Sequence, residues 1–433
     1  MADHHGGYPH FPSIARKPGP LTLWLLALIA ACATSTLPKD SAPATPAPAQ
    51  AVVAAPAPQP PPPPPTPVPF EQAIEKAATA LFGSVAPDAA GAKRLVVIDP
   101  LIDGMTGEQT QATRLMQTRL SRIAKERYPQ FDVQPFSVEN LRRKPLVLIG
   151  TFTGIDGQGR TQGTREAYRI CLALADLDSR TLVGKGVARA KMEGIDVTPL
   201  AYFRDSPAWA LDSVTEGYIK TCQGSRVGDP MDGFYVARIV SAASVQRAIE
   251  AYDAGRYLES LEHYSVAMQA AAGDELRILN GVYLANMKLG RKDAAKVVFQ
   301  RIVDFGLERK RMAVRFLFKP GSTSFVTDPQ VSNAYPVWLA ELAKRSAQRS
   351  ACLEIVGHTS RSGPEALNER ISVLRAETIK QRLEAQAPEL RTRTIANGVG
   401  SRENLVGNGR DDATDALDRR VVFKVVDCAA PTA

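Results

Sequence analysis

Four residues near the C-terminus have the types and spacing needed to bind a small charged ligand. Thr359 and Ser360 precede Gly363-Pro364, a pair that ends a loop and starts a helix. Asn368 and Arg375 follow within that helix, seven residues apart and therefore on one face. A guanidinium can bind a carboxylate, and hydroxyl and amide groups can add neutral hydrogen bonds. The pattern predicts a polar binding site between the loop and the helix.

A strand, a loop and a helix must position these side chains. Leu353, Ile355 and Gly357 predict a buried strand that ends in a turn. Apolar residues of the helix recur at i, i+4, i+7 and i+11 and are expected to face a core: Leu367, Ile371, Leu374 and Thr378. A second stripe, about 100° around the helix, is expected to flank the loop: Asn368, Ser372 and Arg375. The alternative for Arg375 is a solvated arginine on an ordinary amphipathic helix.

Residues 312–428 resemble the peptidoglycan-binding domain of the OmpA-like family, through this loop and helix and a closing strand that begins at Arg419-Arg420. The resemblance implies a βαβαββ fold. It also implies that Arg375 binds a carboxylate of diaminopimelate in the stem peptide of the wall, with Thr359 and Asn368 as motif neighbours. The family normally has an aspartate, which meets the diaminopimelate ammonium, where this chain has Ser360.

Ser360 alters the expected strength of binding. A hydroxyl can donate or accept a hydrogen bond, but it cannot neutralise an ammonium. We expect a loss of about 1–2 kcal/mol, or about tenfold in affinity. The acidic residues usual in the family are also missing from Phe316–Ser322. His358 is expected to fix the loop or cap the strand, since no second histidine lies near it to form a metal site.

The N-terminus indicates export and anchoring. Within residues 1–31, basic residues precede a short apolar run, as in a signal peptide. Ile29-Ala-Ala-Cys32 resembles a lipobox, which implies a lipid on Cys32 and, with Ala33, sorting to the outer membrane. The alternative is an ordinary signal peptide with a chance cysteine. Residues 32–69 are rich in proline and alanine and predict a disordered, extended tether.

Four cysteines follow the predicted lipidation site: Cys171, Cys222, Cys352 and Cys428. An even number in an exported protein predicts two disulfides, and four buried thiols are the alternative. The family resemblance implies that the strands carrying Cys352 and Cys428 are neighbours. That favours Cys352–Cys428 and leaves Cys171–Cys222 as the second pair.

Residues 70–225 predict an α+β domain. Apolar runs indicate strands near residues 94–99, 146–152, 168–175 and 182–189, with a helix at 110–127. Asp99 and Asp103 are interpreted as turn residues. The segments Ile98-Asp-Pro, Leu148-Ile-Gly-Thr-Phe and Leu174-Ala-Asp-Leu-Asp resemble lipoprotein domains of the LpoB, FlgO and CsgG-N type. That resemblance implies a periplasmic protein partner.

Residues 241–305 contain an internal repeat. Ala254-Gly-Arg-Tyr257 and Leu289-Gly-Arg-Lys292 are offset by 35 residues, and the same offset takes Tyr264 to Phe299. Helical, alanine-rich segments flank both units, which is similar to tetratricopeptide repeats. The alternative is a generic helical hairpin that connects two domains.

Length and composition fit an α+β multidomain chain with a helical pair and an N-terminal tether. The chain has 433 residues, 44% of them hydrophobic, and a net charge of +8 without a dense basic run. This charge favours an anionic surface rather than nucleic acid. No catalytic triad order, metal-ligand spacing or phosphate loop is present, so we expect no enzyme, cofactor or metal.

These features together predict a periplasm-facing outer-membrane lipoprotein. We expect it to tether the envelope by binding peptidoglycan and to present a module for a periplasmic protein partner. The alternative is an adaptor or scaffold of a secretion or wall-synthesis complex whose peptidoglycan site is weakened or lost.

Overall fold

The computed structural model describes residues 65–85, 92–161, 165–209, 211–270, 276–405, 407, 409 and 413–428. All of them lie within one compact unit, 62–433. The predicted signal peptide, Cys32 and the tether up to residue 64 lie outside the described residues. Among the described helices, none has the length and apolar content needed to cross a membrane.

The first part of the described chain forms a mixed sheet. Its strands are β1 (Arg94–Ile98), β2 (Ile102–Asp103), β3 (Phe131–Gln134), β4 (Leu146–Ile155), β5 (Ala167–Asp176) and β6 (Thr181–Ala190). They are arranged in the order β3-β1-β4-β5-β6, with β2 beside β4. β1 runs parallel to β3 and β4, whereas β5 is antiparallel to β4 and β6. The strands expected from apolar runs are therefore confirmed.

Helices cover both faces of this sheet. The helices in this part of the chain are α1 (Phe70–Gly83), α2 (Gln111–Arg127), α3 (Val138–Arg142), α4 (Ala201–Asp205) and α5 (Ser213–Gln223). The short α4 packs into the core of the later helices and does not cover the sheet. α1 and α2 pack into the core on one face, and α5 packs into the core on the other. Every residue of β4 is buried because this strand lies between the two layers. The Thr110 side chain caps α2, as expected for a helix starting there.

Two successive helical hairpins follow, formed by α6 (Gly233–Asp253), α7 (Tyr257–Ala270), α8 (Leu276–Lys288) and α9 (Lys292–Glu308). Gly255 and Gly290 end the first helix of each hairpin with φ of 76° and 74°, a conformation that favours glycine. Tyr264 and Phe299 are both fully buried, at equivalent places in the two hairpins. α6 begins well before the expected Val245, because its first half packs against the sheet.

The C-terminal part is a second α+β layer. It contains β7 (Arg311–Leu317), α10 (Pro329–Ser332), α11 (Tyr335–Gln348), β8 (Cys352–Gly357), α12 (Glu365–Gln386), a 3₁₀ turn (Pro388–Thr392), β9 (Thr394–Gly398), α13 (Ala413–Asp418) and β10 (Arg420–Val426). The strand order is β7-β10-β8-β9, with β8 and β9 parallel. The long elements follow the expected βαβαββ order, and the α+β fold class is confirmed.

The four cysteines form two close pairs. Cys352 and Cys428 form a disulfide, with Cα atoms 5.3 Å apart. Cys171 and Cys222 are buried thiols whose sulfur atoms lie 2.9 Å apart without a bond. The second disulfide therefore stays a prediction.

Candidate ligand-binding site

Helix α12 turns its polar stripe towards the protein, which reverses the expected orientation. Leu367 and Leu374 are 49% and 45% exposed, so the predicted apolar core face is wrong. Ile371 and Thr378 are only partly buried. The buried face consists of Asn368, Ser372, Arg375, Ala376, Ile379 and Leu383. The residues predicted to bind a ligand are thus on the inner side of the helix.

Close backbone packing explains this orientation. A Cβ added at Gly357 would lie 1.8 Å from the carbonyl oxygen of Ser372, so α12 sits directly on the end of β8. Ser372 Oγ donates to the Glu369 carbonyl and accepts from the Gly400 amide, at 2.6 and 3.0 Å. Backbone groups of the helix and of the loop therefore serve as hydrogen-bond partners of Ser372. This part of the polar stripe can be buried without losing its hydrogen bonds.

Arg375 is the most completely buried residue of the site, at 1% exposure. Its Nε donates to Ser322 O at 3.0 Å, its Nη1 to His358 O at 2.8 Å and its Nη2 to Lys319 O at 2.9 Å. Its Cζ lies 5.3 Å from the centre of the Phe318 ring. The interpretation of Arg375 as a solvated arginine is therefore wrong.

The charge of Arg375 has no counter-ion among the described residues. Within the part of the chain that the structure describes, no carboxylate lies within the 4.0 Å that defines an ion pair. Burial, with a smaller contribution from the charge of Arg419, lowers the pKa of Arg375 to about 10. The guanidinium is therefore still charged at neutral pH. Each of its three nitrogens donates to one carbonyl oxygen, but these oxygens do not neutralise its charge.

The other three predicted residues are also buried, two in the loop after β8 and one on the inner face of α12. Thr359, Ser360 and Asn368 are 4%, 3% and 5% exposed. Ser360 Oγ lies 2.9 Å from Ser362 Oγ, and Asn368 Nδ2 donates to Ser362 O at 3.2 Å. Ser362 thus links the loop to the helix, and all four predicted residues are buried.

His358 directly follows β8, at the start of the loop that carries Thr359 and Ser360. It is 1% exposed, and neither ring nitrogen has a hydrogen-bond partner among the described residues. Its Nδ1 lies 3.9 Å from Glu403 Oε2. Burial and the charges of Arg420 and Lys424 hold the pKa of His358 well below its usual range. The imidazole is therefore neutral at pH 7, and its main-chain carbonyl is the group that contacts Arg375.

Sequence reasoning missed a second buried arginine, Arg315 on β7. Its Nη1 donates to Glu108 Oε1 of the first sheet domain at 2.9 Å. It also donates to three main-chain carbonyls, those of Phe203, Arg204 and Ser206. Burial raises the pKa of Glu108 to about 7, with Arg315 opposing the rise. No local pattern marks this pair, whose members are 207 residues apart.

Arg165 forms another contact that the sequence did not indicate. Its Nη2 donates to Asn404 O at 3.0 Å, which joins the start of β5 to the loop after β9. Asn404 Nδ2 in turn donates to Thr359 O at 3.4 Å. The first sheet domain thus contacts the loop that borders the candidate site.

Several solved structures are similar to part of the chain. The peptidoglycan-associated lipoprotein from Burkholderia pseudomallei is 21% identical over 26% of this chain and 89% of that one, with a TM-score of 0.23. The cell wall anchor of the T6SS from Pseudomonas aeruginosa is 20% identical over 29% and 95%, with a TM-score of 0.22. The periplasmic domain of Helicobacter pylori MotB is 13% identical over 26% and 71%, with a TM-score of 0.21.

These TM-scores are too low for the likenesses to support an argument about the fold or ligand of this chain. No protein-family model matches it, and no curated protein does.

Proposed function

We propose that residues 312–428 bind peptidoglycan at the site formed by Thr359, Ser360, Asn368 and Arg375. The observation that carries the proposal is the buried, charged guanidinium of Arg375, which has carbonyl partners but no described carboxylate. A buried charge without a counter-ion is costly, and an external carboxylate would remove that cost. Arginine is also the residue best suited to hold a carboxylate with directed hydrogen bonds.

Diaminopimelate is the ligand that fits this requirement together with the OmpA-like resemblance. It has one carboxylate more than the lysine found in other stem peptides, and Arg375 is the group to receive it. Ser360 lies where the family aspartate would meet the ammonium, so the ammonium gains a hydrogen bond to a neutral acceptor but no opposite charge. We therefore propose weaker binding than the family pattern with aspartate would give.

The segment between β7 and α10 controls access to Arg375. Lys319 N donates to Ser324 O at 2.9 Å, which closes a tight turn over the guanidinium. Two carbonyls of this turn, those of Lys319 and Ser322, are acceptors of Arg375. Because Arg375 is 1% exposed, a ligand carboxylate reaches it only when this turn moves and gives up one of these bonds.

The remaining parts of the proposal concern placement in the envelope. A lipid on Cys32 would hold the chain at the outer membrane, and residues 32–69 would let the folded unit reach the wall. The first sheet domain and the helical hairpins, which are similar to tetratricopeptide repeats, would bind a periplasmic protein. We propose no enzymatic activity.

The second candidate function is an adaptor whose wall site is lost. The burial of all four site residues, together with the neutral Ser360, favours this alternative. It predicts that the C-terminal domain serves as a scaffold and that purified peptidoglycan does not retain the protein.

Co-sedimentation with purified diaminopimelate-type peptidoglycan separates the two. The unlipidated chain of residues 33–433 is compared with Arg375→Met and with Arg370→Met. Arg370 is an exposed arginine on the same helix, so its variant loses the same charge on the outer face of α12. We expect the wild type and Arg370→Met to pellet with the wall, and Arg375→Met to stay in the supernatant. Wild-type protein in the supernatant, or equal pelleting of all three with folding verified by circular dichroism, contradicts the proposal.

A further inference from the structure

Strand β6 is an edge of the first sheet, and its two ends already have partners on the outer side. At its start, Leu182 N donates to Asp229 O at 3.0 Å. At its end, Val68 N donates to Arg189 O at 3.0 Å. Among the described residues, no main-chain group pairs with the outer side of β6 between these two ends. This stretch, residues 183–188, is an open edge of the sheet.

The open edge presents the main-chain groups of Lys185 and Val187. In an antiparallel pair, every second residue bonds to the neighbouring strand, and the residues between point their N–H and C=O groups the other way. Arg189 O points outward, because it accepts from Val68. The register with β5 is regular over residues 184–190, so the N–H and C=O groups of Lys185 and Val187 point outward as well. Val187 is 53% exposed, so a ligand can reach this edge.

Helix α1 holds the open edge in place. A Cβ added at Gly186 would lie 1.9 Å from Ala77 O, so the helix backbone packs directly on the strand. A Cβ added at Gly184 would lie 2.8 Å from Val85 Cγ2. The edge is therefore pre-formed, and a strand added to it does not have to order it first.

Three cations stand on the sheet face beside the open edge, Arg169 on β5 and Lys185 and Arg189 on β6. Arg169 and Arg189 are directly opposite in the register, which places like charges side by side. Their hydrogen-bond acceptors are neutral oxygens: Gln223 Oε1 for Arg169 at 2.8 Å, Gly157 O for Arg189 at 3.3 Å and Ser225 O for Lys185. All three cations are partly exposed, and none forms an ion pair with a carboxylate in the described part of the chain. Unbalanced positive charge therefore flanks the open edge.

These charges select the strand that fits. If two copies of the chain paired antiparallel through this edge about Val187, Lys185 of one copy would face Arg189 of the other. Like charges directly opposite each other are destabilising, so a second copy is disfavoured. The chain's own tether is a poor partner because residues 60–65 and 67 are prolines, which lack the N–H that a ladder needs. A strand from another protein that carries carboxylates meets both requirements.

We propose that the open edge of β6 binds an acidic β-strand of a protein partner, which adds to the sheet through the main chain of Lys185 and Val187. Two carboxylates of that strand lie next to Lys185 and Arg189, and an apolar residue between them lies next to Val187. The inference rests on the part of the proposed function that gives the first sheet domain a protein partner, and it is independent of wall binding.

Fluorescence anisotropy with labelled peptides tests this inference on residues 33–433. The acidic probe is Thr-Glu-Thr-Val-Thr-Glu-Thr, and the basic probe has lysine in place of both glutamates. A third probe is the acidic peptide with methyl groups on the main-chain nitrogens of its glutamates and valine. We expect the acidic probe to bind at least about tenfold more tightly than either of the others, because the basic probe is repelled and the methylated probe cannot donate to the edge. No binding of the acidic probe, or equal binding of the acidic probe and either other probe, overturns the inference.

Charge reversal with a matched control locates the site. Lys185→Glu/Arg189→Glu should prefer the basic probe, whereas Arg122→Glu/Lys125→Glu, at exposed positions of α2, should keep the wild-type preference. An unchanged preference after reversal at residues 185 and 189 contradicts the inference.

A backbone variant tests the strand addition itself. Val187→Pro removes an outward N–H from an edge position and should weaken the acidic probe at least about threefold. If this variant does not fold, the charge reversal still decides the question. Co-sedimentation of Lys185→Glu/Arg189→Glu with peptidoglycan should equal that of the wild type, so a failure at this edge is distinguished from a failure of wall binding.

Discussion

Arg315 and Arg375 are two buried arginines with almost the same immediate surroundings and different electrostatic balance. They are 2% and 1% exposed, and each donates to three main-chain carbonyl oxygens. Each lies over an aromatic ring, that of Trp209 or Phe318. Only Arg315 has a described carboxylate partner, Glu108 at 2.9 Å.

The difference separates a structural contact from a candidate binding site. Arg315 joins two domains with its charge balanced inside the protein, so it needs no ligand. A guanidinium cannot escape an unbalanced position by losing its proton near pH 7, as a buried carboxyl can by gaining one. Arg375 therefore needs an anion from outside, which is the basis of the proposed function.

The largest expected effect on stability comes from replacing Arg315, whose charge is balanced by Glu108. Arg315→Met leaves three carbonyls and Glu108 buried without their partner, so we expect the free energy of unfolding to fall by about 3–5 kcal/mol. Urea denaturation at pH 8 measures this. A change below about 1 kcal/mol would mean that Arg315 does not hold the domains together.

A buried carboxyl provides the opposite test of charge balance. Tyr235 donates to Asp99 at 2.6 Å, and burial raises the pKa of Asp99 from 3.8 to about 6. The stability that the protonated carboxyl contributes is present below pH 3.8 and is lost as the pH rises through 6. Asp99→Asn stays neutral, so its stability relative to wild type should rise by about 2 kcal/mol between pH 4 and pH 7. A pH-independent difference in urea denaturation would contradict the shifted pKa.

Ser360→Asp restores the carboxylate of the family pattern in the loop after β8. The new charge can meet the diaminopimelate ammonium, so affinity for peptidoglycan should rise about tenfold, or about 1–2 kcal/mol. Co-sedimentation over a range of wall concentrations measures the change. Ser360→Asn is the control of similar size without charge. An equal gain in peptidoglycan affinity in both variants would show that the charge is not the cause of the gain.

The smallest effect is expected at the surface. Arg127 pairs with Glu75 at 3.5 Å, and both side chains are about half exposed, at 54% and 53%. Arg127→Met should change the free energy of unfolding by less than about 1 kcal/mol, because solvent screens exposed pairs. If Arg127→Met lost as much free energy of unfolding as Arg315→Met in the same urea experiment, burial would not explain why the two arginines differ in importance.

The sequence predicted the strands better than the helix orientation. β4 is predicted at residues 146–152 and runs from Leu146 to Ile155, because an apolar run this short with β-branched and aromatic residues favours a buried strand over a helix. The apolar period of α12 pointed to Leu367 and Leu374, which are exposed. Periodicity does not show that loop carbonyls are available to satisfy a buried polar stripe, or that Gly357 lets the helix approach so closely.

The candidate site was also predictable only in part. The four residues from Thr359 to Arg375 are close in sequence, so a strand–loop–helix pattern was enough to bring them together. The acceptors of Arg375 at Lys319 and Ser322 lie on another loop, 56 and 53 residues away in sequence. The Arg315–Glu108 pair is more distant still, and only the folded chain reveals it.

The most direct test of an external carboxylate at Arg375 compares two soluble stem peptides by calorimetry. One contains diaminopimelate, and the other contains lysine at the same position and so lacks only the second carboxylate of that residue. We predict that wild-type protein binds the diaminopimelate peptide at least about tenfold more tightly, about 1.4 kcal/mol, and that Arg375→Met loses this preference. Equal affinity of the wild type for the two peptides would contradict the account.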